Sequence, residues 1–258
     1  MIIGTAQMKM GWTTEENIAT IVSSIEHARS MKADLLVFPE LALTGFHRKI
    51  KDEVKKVSND PGYEQWVQDA CANNQQAICL GLPTFFGDKI FNSYRFISAD
   101  GEIVSTTHKL GLTGGERMLF TDADHRPMVS IGDRALAAVM CREVGDLELL
   151  KGKLQTADVL IWPGFVSNLT TDDPDVEDGT TEQASAFALA CKAKLVQCNW
   201  AHSLNKPELV ELGGSSFIDD NGEVIWSCPW NEPGIGYFDL DSNAHDWQPL
   251  GSIRGQFT

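Results

Sequence analysis

No stretch of this chain gathers Lys and Arg into a patch able to neutralise phosphates or hold an anionic membrane: 36 acidic residues stand against 21 basic ones, for a formal charge of -15. Nucleic-acid binding is thereby disfavoured. No apolar run approaches the ~20 residues that a membrane-crossing helix requires. Met1 to Met8 has neither the basic leader nor the long apolar stretch of a signal peptide and reads as an opening strand. Cysteine is sparse. The six (Cys71, Cys79, Cys141, Cys191, Cys198 and Cys228) include no C-x-x-C pair, which argues against a metal knot and fits thiols in a reducing cytoplasm. Internal repeats, low-complexity tracts and linkers are absent as well, so residues 1–258 read as a single domain. A hydrophobic content of 43% with 22% charged residues, spread along the whole length, is enough for a sizeable core.

Periodicity places the elements. Thr13 and Glu16 form a capping box for a helix with Ile18, Ile21, Val22 and Ile25 on one face. Leu35 to Phe38, Ala77 to Leu82, Ala135 to Met140, Val159 to Trp162 and Leu195 to Cys198 are short apolar runs suited to strands buried on both faces. Pro83 is expected to close the second of these. A helix is expected around Tyr63 to Asn73, and another, capped by Thr180 and Gln183, with Ala184, Phe187, Ala188 and Cys191 on one side. Asp100-Gly101 and Asn221-Gly222 each sit between β-rich runs and suit hairpin turns requiring positive φ. Strands alternating with helices and interrupted by hairpins indicate a layered α/β fold with mixed sheets.

Three positions carry chemistry. Phe38-Pro39-Glu40 ends one buried run and Met140-Cys141-Arg142-Glu143 ends another, with His108-Lys109-Leu110 and then Glu116 between them. A carboxylate that can accept a proton, a thiol that can attack carbon and an ammonium that can stabilise an oxyanion are the groups that acyl transfer through a thioester needs. Taken singly, Cys141 reads as an inert core thiol, Glu40 as a solvated strand-end acid and Lys109 as a surface lysine. Competing signatures are weaker. Gly81 to Lys89 has the wrong glycine spacing for a phosphate loop, the acids Asp122 and Asp124 with His125 read as a solvated loop, and a papain-like pairing of a cysteine with His108 or His202 lacks that family's signature.

Together these contexts resemble the nitrilase superfamily, the carbon-nitrogen hydrolases. The likeness runs from Thr5-Ala6-Gln7 through the three positions, Trp162-Pro163, Gln197-Cys198-Asn199-Trp200 and Gly213-Gly214-Ser215-Ser216 to the last hairpin. The resemblance implies a four-layer α-β-β-α sandwich with two mixed β-sheets. It implies Glu40 as general base, Lys109 as stabiliser of the tetrahedral intermediate, Cys141 as nucleophile and Glu116 as a second glutamate positioning substrate and Lys109. The backbone N–H of Arg142 would join Lys109 in the oxyanion hole. No metal or organic cofactor is required by such chemistry.

Cys141-Arg142-Glu143 departs from the Cys-Trp-Glu common in nitrilases proper, so a small non-peptide amide ranks ahead of a nitrile as substrate. A non-catalytic metabolite-binding homologue is the alternative from another class. Trp162, Phe165, Asn199 and Trp200 are expected to line an acyl pocket, and Asn168 to recognise a carboxyl or carbonyl group. Family members commonly dimerise through helix faces, which makes the small-residue helix Ala184 to Cys191 an expected contact in a homodimer or higher homo-oligomer.

Overall fold

The computed structural model describes residues 1–123, 125–166 and 181–250. Thirteen strands are present among them: β1 Ile2–Gln7, β2 Leu35–Val37, β3 Ile78–Phe86, β4 Lys89–Ile97, β5 Ile103–His108, β6 Val129–Ile131, β7 Arg134–Ala138, β8 Val159–Gly164, β9 Lys194–Asn199, β10 Ser216–Ile218, β11 Val224–Ser227, β12 Gly234–Asp239 and β13 His245–Pro249. The α-helices are α1 Thr14–Ser30, α2 Ile50–Asn59, α3 Gly62–Asn74, α4 Leu147–Leu154 and α5 Thr181–Cys191. One sheet has the order β13-β12-β1-β2-β3-β4-β5 and the other β11-β10-β9-β8-β7-β6. Both are mixed: β1, β2 and β3 run parallel, as do β7, β8 and β9, with antiparallel strands on either side.

Burial separates the expected four layers. Ile3, Val37, Tyr94 and Phe96 of the first sheet meet Leu136, Ile161, Val196 and Phe217 of the second in a core between the sheets. The outer face of the first sheet packs Leu36 and Leu80 against Ile21 and Ile25 of α1 and Val67 of α3. The outer face of the second packs Leu160 and Leu195 against Leu150 of α4 and Phe187 of α5. Apolar runs without alternation were therefore the right signal for the central strands, because helices cover their other face. Thr13 caps α1 as expected, its hydroxyl accepting from the Glu16 N–H while the Glu16 carboxylate accepts from the Thr13 N–H. Gly101 (φ 81°) and Gly222 (φ 80°) turn the two hairpins.

Two expectations change. Pro83 does not close β3, which continues three residues further to Phe86, with Pro83 opposite Asn92 of β4. Its neighbour on the other side, β2, pairs only as far as Cys79, so no donor is required of Pro83. The small face of α5 is internal. Ala184, Phe187, Ala188 and Cys191 are all buried in the chain's own core, which leaves only the opposite side of the helix, with Ala186, Leu189 and Ala190 exposed, open to a second copy. Thr180, the expected cap of that helix, lies outside the described residues.

Candidate active site

Each chemical group is delivered by a strand that ends at the same edge of the sandwich. Glu40 lies in the turn after β2, Lys109 directly follows β5, and Cys141 opens a 3-10 turn, Cys141–Gly145, just after β7. Cys141 has φ 50° and Leu41, the residue after Glu40, has φ 52°. Left-handed backbone at non-glycine residues is costly and is held only by well-determined surroundings. Those surroundings are visible. The Trp162 indole N–H donates to the Cys141 carbonyl at 2.8 Å, and the Trp200 indole N–H donates to the Glu40 carbonyl at 2.9 Å.

Lys109 is the hub. Its Nζ donates to Glu40 Oε1 at 2.7 Å and to both oxygens of Glu116 at 2.8 and 2.9 Å, with all three side chains at most 1% exposed. Asn92, on β4, spans the same two acids, its Nδ2 donating to Glu40 Oε1 and Glu116 Oε1 at 2.8 Å each. The Asn92 carbonyl accepts the Lys109 backbone N–H at 2.7 Å, so one residue sets both ends of the lysine. Among the described residues Glu40 Oε2 has no hydrogen-bond partner.

The electrostatics separate two chemically identical acids. Burial pushes the Glu40 pKa up, and the neighbouring Glu116 charge adds to it, beyond what Lys109 and Asn92 recover. Burial opposes ionisation of Glu116 too, but the Lys109 charge and the Thr113 N–H (2.8 Å to Oε2) outweigh it and hold its pKa below the usual value. Burial also works against the Lys109 ammonium, yet the charges of Glu40, Cys141 and Glu116 leave its pKa raised. Burial and the Glu40 charge raise the Cys141 pKa, with Lys109 and the Phe165 backbone N–H pulling the other way. The thiol is thus protonated at rest and needs a base.

Glu143 joins the thiol to the lysine. It is fully buried; its Oε1 accepts from the Leu110 and Gly111 N–H groups at 2.6 and 3.2 Å and from Arg126 Nη2 at 2.6 Å, while Oε2 accepts from the Met140 N–H at 2.7 Å. The residues after Lys109 and before Cys141 are therefore bound to one carboxylate. Sequence reasoning singled out neither Asn92 nor Arg126, and saw in Glu143 only a charged neighbour of the cysteine. A lone Asn in a β-rich run was the available signal for the first.

The expected pocket lining is rearranged. Trp162 and Trp200 are fully buried and spend their indole N–H groups on backbone, so they stand behind the site rather than form a wall open to substrate. Asn199 is spent on structure as well: Oδ1 accepts from the Val166 and Trp200 N–H groups, and Nδ2 donates to the Val166 and Gly213 carbonyls. Phe165 is partly buried beside the thiol and packs edge-on against Phe46, with ring centroids 5.9 Å apart. The Arg142 guanidinium reaches Asp146, 3.5 Å away. His108 directs Nδ1 to Ser93 Oγ at 2.7 Å and packs at a tilt against Phe91, with ring centroids 4.5 Å apart, so this histidine is engaged away from the thiol. Asn168 lies outside the described residues. Among the described residues no group of three or more His, Cys, Asp or Glu is placed to hold a metal ion.

The family model for carbon-nitrogen hydrolases matches residues 2–248. The chain belongs to the carbon-nitrogen hydrolase family. Within this nitrilase superfamily, the fold is similar to that of an amidase from Nesterenkonia AN1, in a cysteine-to-alanine variant, with 20% identity, a TM-score of 0.79, and 94% of this chain and 91% of that one covered. The same kind of variant in complex with butyramide superposes with 19% identity and a TM-score of 0.78, covering 94% and 92%. A glutamine-dependent NAD(+) synthetase from Thermotoga maritima is 24% identical over 238 residues, which are 88% of this chain and 39% of the synthetase. This carbon-nitrogen hydrolase chain therefore spans about two-fifths of that curated relative.

Proposed function

We propose that the protein hydrolyses a small non-peptide amide through a thioester on Cys141. The observation that carries this reading is Glu40: a fully buried carboxylate with a raised pKa, one oxygen fixed by Lys109 and Asn92, and the other unpartnered among the described residues, near a thiol whose own pKa is raised. Glu40 takes the Cys141 proton and the thiolate attacks the amide carbon. Lys109 and the Arg142 backbone N–H stabilise the oxyanion. The carbon-nitrogen bond then breaks, and the amine leaves with the proton that Glu40 carried. Water, deprotonated by the same carboxylate, attacks the thioester; its proton returns to the Cys141 sulfur as the acid departs. Glu116 remains ionised and keeps Lys109 in place.

The butyramide complex of the structurally similar amidase supports short aliphatic amides as the first class to assay. The glutamine dependence of the synthetase relative makes glutamine another member of the panel. The test is a set of amides and matching nitriles followed by ammonia release and intact mass. Amides are expected to release ammonia and to leave an acyl mass on Cys141 in trapped samples; nitrile turnover without amide turnover overturns the substrate assignment. Cys141→Ala should abolish turnover and Cys141→Ser nearly so. Rapid stoichiometric acylation of Glu40→Gln would remove Glu40 from the role of base.

A further inference from the structure

Beside the site lies a cleft of about 230 Å³ that the mechanism leaves unused. Glu116 and Phe120 form its inner wall, Phe46 links it to Phe165 and the thiol, and Arg48, Lys51 and Asn205 stand at its exposed rim. We propose that this cleft takes a carboxylate at the far end of the substrate, with Arg48 and Lys51 as the residues that select it. The inference rests on the amide-hydrolase reading above and deepens it.

Three observations support it. The chain carries a formal charge of -15, yet five of its 21 basic residues, Arg48, Lys49, Lys51, Lys55 and Lys56, fall with only two acids, Asp52 and Glu53, in the nine positions that enter α2 at this rim, a local excess too small for a phosphate backbone but of the opposite sign to the chain. A local reversal of sign against an acidic background focuses anions where the chain as a whole repels them. Second, the cations are not consumed by acids. Lys56 is paired with Glu15 and Glu53, whereas neither Arg48 nor Lys51 has a carboxylate within 4.0 Å among the described residues. Glu116, the one acid among the cleft's lining residues, is turned to Lys109. Third, Arg48 is preorganised: its guanidinium lies 5.1 Å from the Trp12 ring centroid, and its backbone N–H donates to Asn205 Oδ1 at 2.9 Å. A planar guanidinium held in this way matches a carboxylate in two-point contact.

The test compares malonamate, succinamate and glutaramate with neutral amides of equal length, by kcat/KM on the wild-type enzyme and by calorimetric binding to Cys141→Ala, which needs no turnover. At least one carboxylate amide is expected to be preferred about tenfold over its neutral counterpart, the size of one or two partly exposed charge contacts. In Arg48→Gln/Lys51→Gln that preference should fall towards one, chiefly through KM, and in the wild type it should shrink as salt rises. Equal kcat/KM and equal binding across every pair, or a preference that survives the double substitution, overturns the cleft assignment alone. Failure of all amides to acylate Cys141 overturns the amide-hydrolase reading instead, while the binding comparison still decides whether the rim selects a carboxylate.

Discussion

Glu40 and Glu116 touch the same ammonium, and their surroundings assign them different work. Thr113 and two contacts to Lys109 keep Glu116 a carboxylate, while Glu40, with one oxygen unpartnered among the described residues, is the acid whose affinity for a proton has been raised. In the proposed role of base, Glu40 must be deprotonated to act. Activity is therefore expected to be lost as pH falls through the Glu40 pKa, and the acid limb of kcat/KM should lie above the ordinary carboxylate range; a limb at or below that range would contradict the assignment. Lys109→Ala would leave two buried acids facing each other, and removal of one partner of such a cluster costs on the order of 3–5 kcal/mol. Thermal unfolding should register that loss alongside abolished turnover. Glu143→Gln breaks the buried pair with Arg126 and turns an amide N–H₂ towards one of its N–H donors. Its expected signature is a lowered melting temperature and a kcat reduced about tenfold or more with KM little changed, the pattern of misplaced groups rather than weaker substrate binding. Glu40 and Cys141 were legible in the sequence because each follows a buried apolar run, whereas Lys109 follows the polar β5 and was legible only through the family resemblance. Their positioning partners were not: Asn92 sits inside a strand, where its neighbours across the sheet give it meaning, and the four donors of Glu143 come from segments up to 33 residues away.

At the scale of elements, the turn carrying Glu40 is pressed against β3. A Cβ at Gly81 would lie 2.4 Å from both the Leu41 nitrogen and the Pro39 oxygen, which are backbone atoms with little room to move. Gly81→Ala is expected to destabilise the fold and displace the base, with activity falling further than the loss of folded protein explains. Gly152, inside α4, has open space around the same added atom, so Gly152→Ala should be neutral or stabilising by up to about 1 kcal/mol. Denaturant titration of the two variants makes the comparison. Most elements were readable from periodicity and turn chemistry. Pro83 was misleading because a proline's tolerance in a strand depends on whether a neighbour needs its N–H, and the early end of β2 is a property of the sheet rather than of the local sequence.

For the whole molecule, self-association through α5 remains an expectation, now confined to its exposed side with Ala186, Leu189 and Ala190, because the chain's own core has taken Ala184, Phe187, Ala188 and Cys191. Light scattering at assay concentration should give the mass of a dimer or larger assembly; a monodisperse monomer would end that expectation. Among the described residues no helix is long and apolar enough to cross a membrane.

The position of β1 has a further consequence. This strand, Ile2–Gln7, lies between β2 and β12, and its partners on the β12 side are residues 234–239. During synthesis the β12 flank of this strand stays without its mate until residues 234–239 have emerged. Between the synthesis of β1 and that of β12 the nascent chain thus carries an open, apolar β edge, and this interval is when protection by a chaperone would matter most.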